Sequence, residues 1–578
     1  MTETWQSIAQ RKKTQQTSRI PPEWRLRQGI TSSAGKANVL DVPRSCGILS
    51  SKELEITEKY DATALAAEIA SRRLTSVEVT IAFCKRAAIA HQLTNCLTEI
   101  FFDQAVPRAA ALDAHLASGA PPLSPLHGVP ISLKDCFKVP CVDTSIGLAA
   151  LCFKRSQYGS TLVSLLLSAG AVLYCKTNIP QTMLALDSHN NVFGRSLHPS
   201  HPELTIGGST GGEAALLALR GSVLGVGTDI GGSIRIPAFC GGLYGIKPSA
   251  GRIPLGNIEG GTPPANHRVQ LSFSAGPLAR TQRDCELFLQ TVAGQKPWEM
   301  DADVHCGDWQ SQGEDISGKK LVVGVARTDG ITTPLPPVQN VMNDTVAALK
   351  RQGIDVVELD LAPLLSRCQS LANKMMSLEG GNMMKDLLDA FNEPLSPWLV
   401  GRFARRQPRT LAETLDFHRQ RMELENLLLR VWKGELGQTE GKRLDAIICP
   451  IAPHPVPPID RWNAVGYTSD WVLLNCPAGS LPVRPVTSED LKCEITSPAA
   501  ENSWDKVNRE LWTSVDRGMY LDSPLSVQVV GPKLQERRLC QALATVDDAL
   551  KKEGFGSDVV RRAMESHEPK LNVRSGRL

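Results

Sequence analysis

Three glycine-bearing segments hold the residues of this 578-residue chain whose types and spacing could do chemistry. The first is Gly128-Val129-Pro130-Ile131-Ser132-Leu133-Lys134-Asp135, an apolar strand pattern continued by one lysine. The second is Gly207-Gly208-Ser209-Thr210-Gly211-Gly212-Glu213, four glycines around two hydroxyls, running into helix-forming residues from Ala214 to Arg220. A glycine-rich turn feeding a helix N-terminus suits an anion, but this one lacks the G-K-[ST] ending of a P-loop and the spacing of a dinucleotide fingerprint. The third is Gly227-Thr228-Asp229-Ile230-Gly231-Gly232-Ser233-Ile234-Arg235-Ile236-Pro237. Its consecutive N–H groups at Ile230, Gly231, Gly232 and Ser233 could converge on one point, as an oxyanion hole requires. Taken singly, each segment has a plainer reading: a solvated lysine, a tight structural turn, a loop packed on a neighbour.

A serine nucleophile needs a base, and histidine is the usual one. None of the 11 histidines offers itself. His198-Pro199-Ser200-His201 has the look of a metal pair, but two prolines interrupt it and no carboxylate cluster supports it. His127, His189 and His454 sit beside turn residues without an evident partner. Two hydrolase readings remain. Gly207-Gly208-Ser209-Thr210-Gly211 formally matches the G-x-S-x-G elbow, which must follow a buried strand; the preceding residues, with Pro199, Pro202 and Glu203, make a poor strand. The other reading makes Ser233 the nucleophile, Ser209 a proton relay and Lys134 the base.

The elements that must position these residues follow from periodicity and caps. Residues 1–58 read as an arm: a short amphipathic helix ended by Ile20-Pro21-Pro22, then a Gly/Ser/Pro-rich strap. Asp61 caps a helix, and Thr75-Ser76-Val77-Glu78 is a capping box. Leu97–Ile100 reads as a strand and Ala105–Leu116 as a helix. Ser156–Cys175 reads as a helix, a glycine stop and a strand rather than a membrane span. Between 126 and 260 glycine is dense, so backbone approach matters more there than side chains. A strand at 321–325, a helix at 338–350 and a strand at 354–359 form one βαβ unit, which predicts parallel pairing. Leu411–Trp432 and Gln535–Lys551 read as helices, 444–449 and 525–530 as strands, and 553–578 as a loose tail. With no repeat and no linker between 60 and 550, one large α/β domain over 59–552 is the expected organisation.

Composition excludes other classes. Lys+Arg total 63 against 60 Asp+Glu, a net charge of +3, too small to favour nucleic acid or anionic membrane. The 15 cysteines are odd in number and hold no C-x-x-C pair, which points to a reducing, cytoplasmic setting. The first 26 residues lack the apolar core of a secretory signal. Gly576-Arg577-Leu578 approximates a peroxisomal address but departs from S-K-L at 576.

Together the three segments resemble the amidase signature family, whose members carry a lysine after a strand, a G-G-S-[ST]-G-G loop and a D-I-G-G-S-[IL]-R segment. Their two serines lie 24 residues apart, the separation of Ser209 and Ser233 here. Gly245-Ile246-Lys247-Pro248, Ile20-Pro21-Pro22-Glu23-Trp24 and Thr177-Asn178-Ile179-Pro180-Gln181 look like the acetamidase-like amidases of fungi, with fatty acid amide hydrolase a more distant relative. The resemblance spans about 60 to 550 and is densest from 126 to 250. Thr210 stands where many members have a second serine.

The resemblance implies a central mixed β-sheet covered by helices on both faces. It implies hydrolysis of a small carboxylic acid amide through an acyl-enzyme on Ser233, with Ser209 and Lys134 as relay and base. The N–H groups of Ile230 to Ser233 would hold the oxyanion, Met183 would line the substrate pocket, and neither metal nor organic cofactor is required. A homodimer is compatible with this; a glutamine-dependent amidotransferase subunit and a non-enzymatic scaffold are the readings set against it. The mechanism needs Lys134 neutral, a shift of roughly three units from a free lysine. Ile131 and Leu133 could supply it by desolvation, while Asp135 would oppose it unless strand alternation turns it to the other face. Asp229 and Arg235 are expected to pair or to hydrogen-bond the loop. Met375, Met376, Met383 and Met384 form either a flexible pocket lining or core. Arg402, Arg405, Arg406 and Arg409 read as a solvated basic face.

Overall fold

Apolar runs bounded by glycine and proline become the strands of one large sheet. The computed structural model describes residues 3–568 apart from 32–34, 264, 437–438, 440, 463–464 and 499–501. In chain order the strands are β1 (Leu97–Ile100), β2 (Pro130–Lys134), β3 (Val172–Thr177), the small hairpin β4 (His189–Asn190) and β5 (Gly194–Arg195), β6 (Leu224–Asp229), β7 (Tyr244–Lys247), β8 (Ser274–Ala279), β9 (Val322–Ala326), β10 (Asp355–Leu359), β11 (Ala446–Pro450), β12 (Ala478–Pro485) and β13 (Pro524–Val530). All but the hairpin form an 11-stranded sheet in the order β1-β3-β2-β6-β8-β7-β12-β13-β11-β9-β10. β3, β2 and β6 run parallel on one flank and β11, β9 and β10 on the other. Antiparallel pairings through β8, β7, β12 and β13 join the two flanks. The sheet is therefore mixed, and the βαβ unit of β9 and β10 is parallel as its sequence pattern predicts. The strands at its centre are buried along their whole length, because helices cover both faces.

Local signals fix several helices. Thr75 accepts from Glu78 N and Glu78 returns to the Thr75 N–H, so the capping box starts the helix Ser76–Thr94. Asn95, at φ 53°, ends it. The helix expected from Ala105 begins earlier, at Phe102. The glycine stop after Ser156 separates the helix Thr161–Ser168 from β3, and no helix among the described residues is long and apolar enough to cross a membrane.

The arm is tied down more firmly than its composition suggests. Its helix, Trp5–Ser18, lies on the exposed edge of β1. The Gln16 amide donates to the carbonyls of Leu97 (2.8 Å) and Thr98 (3.0 Å), so the edge is not open to a foreign strand. Lys12, fully buried, ion-pairs with Glu99 and, at 2.7 Å, with Asp143. The far end of the chain is also docked. Residues from 553, read as a loose tail, include a helix Ser557–Ser566 that buries Val560 and Met564 against the sheet. Its last turn accepts from the Asn38 amide of the strap, at 2.7 Å from the Met564 carbonyl. Residues 569–578, with Gly576-Arg577-Leu578, lie outside the described residues.

Removing the Lys12 ammonium leaves the buried Asp143 carboxylate without a cation and Glu99 with Arg19 alone, at 3.1 Å. Lys12→Ala is expected to cost about 3–5 kcal/mol, read as a lower unfolding temperature together with faster proteolysis before residue 20. An unchanged unfolding temperature would refute the latch.

Candidate active site

Lys134 is the last residue of β2, between parallel neighbours β3 and β6, and it is fully buried. Its Nζ lies 2.6 Å from Ser209 Oγ, 2.8 Å from Thr228 Oγ1 and 3.3 Å from the Thr228 carbonyl. All three partners are neutral. Burial lowers its pKa to about 8, against the smaller opposing pull of Cys136, Asp229 and Glu213. Asp135 does point to the other side. It pairs with Lys176 at 2.8 Å and accepts from Ser145 Oγ at 2.7 Å, so the adjacent carboxylate does not compensate Lys134. A second buried lysine, Lys247, is also lowered to about 8 by burial, but its hydrogen bond runs to the Pro248 carbonyl at 3.1 Å and to no hydroxyl.

The glycine loop brings Ser209 to Lys134 because little else fits. The Gly208–Ser209 peptide is cis. A Cβ at Gly208 would lie 2.7 Å from the Ala185 carbonyl oxygen, so the chain just after Met183 packs directly on this loop. No strand leads directly into Ser209, only an isolated bridge from Leu204 to Pro458, so the strand–turn–helix elbow is absent among the described residues. The helix Gly211–Ala218 then rests on β6, where a Cβ at Gly227 would meet the Thr210 methyl at 2.7 Å. Gly225 likewise leaves room for Glu213. Burial raises the Glu213 carboxyl to about 7. It accepts from Thr177 Oγ1 at 2.6 Å and from Ser132 Oγ, binding β2, β3 and the helix together.

Ser233 follows β6 in a loop built around one ion pair. Asp229 accepts from Arg235 Nε and Nη2, both at 3.0 Å, and from the N–H groups of Gly232 (2.7 Å) and Ile234 (3.1 Å). Burial alone would raise the Asp229 pKa, but the Arg235 guanidinium outweighs it and holds the carboxyl below its usual range. Arg235 also donates to Gln528 Oε1 (3.0 Å) and the Thr468 carbonyl (2.9 Å), while Thr468 Oγ1 donates to the Gly231 carbonyl at 2.6 Å. The expected pairing of Asp229 with Arg235 is thus the frame of the loop. It also commits one of the four N–H groups expected to converge: Gly232 N–H is spent on Asp229. Those of Ile230, Gly231 and Ser233 have no acceptor among the described residues. What Gly232 supplies is φ +125° and the missing Cβ, which would sit 2.5 Å from Thr468 Oγ1. Ser233 is 5% exposed, and its hydroxyl makes no hydrogen bond among the described residues.

Met183 lies half-buried in the short turn Gln181–Met183, where Thr182 and Met183 take φ of 69° and 61°. Gln181 fastens this turn to Glu393 Oε1 (2.7 Å) and the Ser396 N–H (2.8 Å). The methionines divide: Met375 and Met384 are core, whereas the Met376 methyl reaches within 3.6 Å of the Cβ position of Gly231. His198 and His201 bond to the carbonyls of Cys240 and Leu521, each at 2.9 Å, and no metal-holding cluster exists among the described residues. Sequence reasoning passed over Thr228, Thr468 and Gln528, which lie in or far from the motifs and act only through tertiary contact. It named Glu213 only as part of the glycine loop.

Known proteins share this arrangement as a whole. The family model described as Amidase matches residues 78–540. The acetamidase of Emericella nidulans is 36% identical over 550 residues, 93% of this chain and 97% of the relative. A putative amidase of Schizosaccharomyces pombe, C550.07, is 36% identical over 94% of this chain and 99% of its own length. Among solved structures, fatty acid amide hydrolase superposes with a TM-score of 0.83 at 29% identity, covering 95% of each chain. With the sheet, the loops and these relatives in agreement over most of its length, the chain belongs to the amidase family and is an enzyme that hydrolyses amides.

Proposed function

We propose that the protein hydrolyses a carboxylic acid amide to the acid and ammonia or an amine through an acyl-enzyme on Ser233, with Ser209 and Lys134 as its proton path. One observation carries this: a fully buried lysine whose Nζ meets only neutral partners, one of them Ser209 Oγ at 2.6 Å. Such a lysine is ready to act as a base. Ser233 Oγ attacks the amide carbon. Its proton passes to Ser209 Oγ as the Ser209 proton passes to Lys134 Nζ. The tetrahedral oxygen is held by the unspent N–H groups of Ile230, Gly231 and Ser233. When the C–N bond breaks, the proton returns through Ser209 to the leaving nitrogen. Water then attacks the acyl carbon, gives its proton to the same path, and the Ser233–acyl bond breaks with the proton restored to Ser233. Met183, Ile230 and Met376 supply apolar walls.

The Emericella relative bears the name of an acetamide hydrolase and the structural neighbour that of a fatty amide hydrolase. Neither fixes acyl length here; the half-buried methionines offer a flexible apolar wall that suits an aliphatic or aromatic acyl group. All fifteen cysteines are free thiols, which fits a reducing compartment such as the cytoplasm.

Ser233→Ala is expected to lower kcat by at least about 10⁴-fold and Lys134→Ala by about 10²–10⁴-fold. Because the three groups act as one unit, Lys134→Ala/Ser209→Ala should be no worse than Lys134→Ala alone. Substantial turnover by folded Ser233→Ala or Lys134→Ala, measured on an amide panel, would remove the assignment. The base must be neutral, so kcat/KM should rise with pH through a midpoint near 8 and then level, following the lowered pKa of Lys134. A profile flat from about pH 6 to about pH 10, roughly two units either side of that midpoint, would contradict that role.

A further inference from the structure

A cavity of about 260 Å³ lies at the far ends of the two helices that follow the site loops. The helix Gly211–Ala218 starts just after Ser209, and its last residues, Leu217 and Ala218, line the cavity. The helix Arg235–Cys240 starts just after Ser233, and Gly241 and Gly242 beyond its end line the cavity too. The first of these helices is about 12 Å long, and no lining residue belongs to the Ser233 site. The remaining wall comes from the end of the arm at Glu58, from Arg280 after β8 and from the helix Ser557–Ser566. The volume is just below the roughly 300 Å³ at which small-molecule pockets begin, so an occupant must be compact.

This wall holds more positive charge than it pairs. Glu58 is shared by Arg44, Arg86 and Arg220, the last two buried. Asp61 is engaged by Arg283, Glu565 by Arg44 and Arg561, and Lys59 turns to Glu55. Asp558 lies 3.6 Å from Arg561. Arg280 is then the one lining cation with no carboxylate partner among the described residues. Its Nη2 donates to the Tyr60 carbonyl at 2.8 Å, but its buried Nε has no acceptor among the described residues. Asp284 attracts Arg280, yet the Asp284 oxygens already accept from the Ala62 and Thr63 N–H groups and from Thr63 Oγ1.

Burial, followed by the charges of Arg220 and Arg86, presses the Arg280 pKa down to about 9. The group is still charged at neutral pH, so Arg220 and Arg280, which line the same cavity, repel each other there. A charged N–H without an acceptor is costly, and buried donors normally meet one. Guanidiniums gathered around too few carboxylates are the donor set that receives a phosphate, whose double charge and several acceptor oxygens match two forks better than a single carboxylate does. We propose that this cavity binds a phosphate group, free or carried by a compact monoester, on Arg280 and Arg220, at a site separate from the reacting residues.

The test measures binding by calorimetry on the full chain with inorganic phosphate, glycerol 1-phosphate and acetate at matched ionic strength. Both phosphates should bind, and acetate should bind at least about tenfold more weakly. Tighter binding of glycerol 1-phosphate than of phosphate assigns the remaining space to an organic group; the reverse order assigns the site to the free ion. Either affinity should fall with rising salt. Arg280→Gln should weaken phosphate by about tenfold or more, and Arg280→Lys, which keeps the charge and loses the fork, by less. Because Arg280 also holds the Tyr60 carbonyl, the unsubstituted protein supplies an independent readout: phosphate should slow backbone hydrogen exchange at 57–61, 217–221 and 279–283 more than elsewhere. The proposal is overturned if neither phosphate binds the wild-type protein at millimolar concentration, or if acetate binds as tightly. It is equally overturned if folded Arg280→Gln binds phosphate unchanged, or if the protection falls outside these segments.

Discussion

The hydrogen bond between a buried lysine and a serine is the constraint on which the rest of the structure depends. A lysine without a counter-charge is expensive to bury. Lowering Lys134 from 10.5 to about 8 corresponds to roughly 3 kcal/mol against folding wherever the folded state is protonated, below about pH 8. The cost fades as pH rises toward the unfolded value, because only there does the unfolded chain lose its proton too. The fold offsets it with a fully buried sheet and a helix layer on each face. It also prevents the easy compensation, by tying Asp135 to Lys176 on the opposite side of β2 and Asp229 to Arg235 in the next loop. Carboxylates stand near Lys134 but each is already engaged.

The parallel pairing of β2 with β6 makes this arrangement geometrically available. Leu133 pairs with Val226, so β6 runs on past the end of β2 to Asp229, and Lys134 and the Ser233 loop leave the same edge of the sheet. The third part, Ser209, enters from a loop pressed between the 185–187 segment and β6. There the glycines serve close approach more than unusual dihedrals. Glu213, between β2, β3 and the helix after Ser209, fixes the spacing from behind. Met183, Ile230 and Met376, proposed above as apolar walls, come from three separate stretches of chain.

Much of the site is legible in the sequence because its parts are local. Lys134 ends a strand, Ser209 sits in a glycine loop, Ser233 follows a strand and a second glycine pair, and alternation alone separates Lys134 from Asp135. Asp229 and Arg235, six residues apart with apolar neighbours, pair as their isolation implies. What the sequence conceals depends on distant chain. Gly232 looks like an oxyanion donor until Asp229 claims its N–H. Thr468 and Gln528 support the Ser233 loop from hundreds of residues away. The arm reads as a strap because nothing nearby reveals that Lys12 meets Glu99 and Asp143. The tail reads as loose because Val560 and Met564 find their partners only on the assembled sheet. Arg402, Arg405 and Arg409 look alike in the sequence, but Arg402 stacks on Trp398 while Arg405 and Arg409 pair with carboxylates.

The most direct test of the central claim is to treat the protein with a fluorophosphonate and map the adduct by peptide mass spectrometry as a function of pH. The account predicts phosphonylation of Ser233, with a rate that rises as Lys134 loses its proton near pH 8 and that collapses in Lys134→Ala. An adduct on Ser209, or labelling of Ser233 that is indifferent to both pH and Lys134, would contradict it.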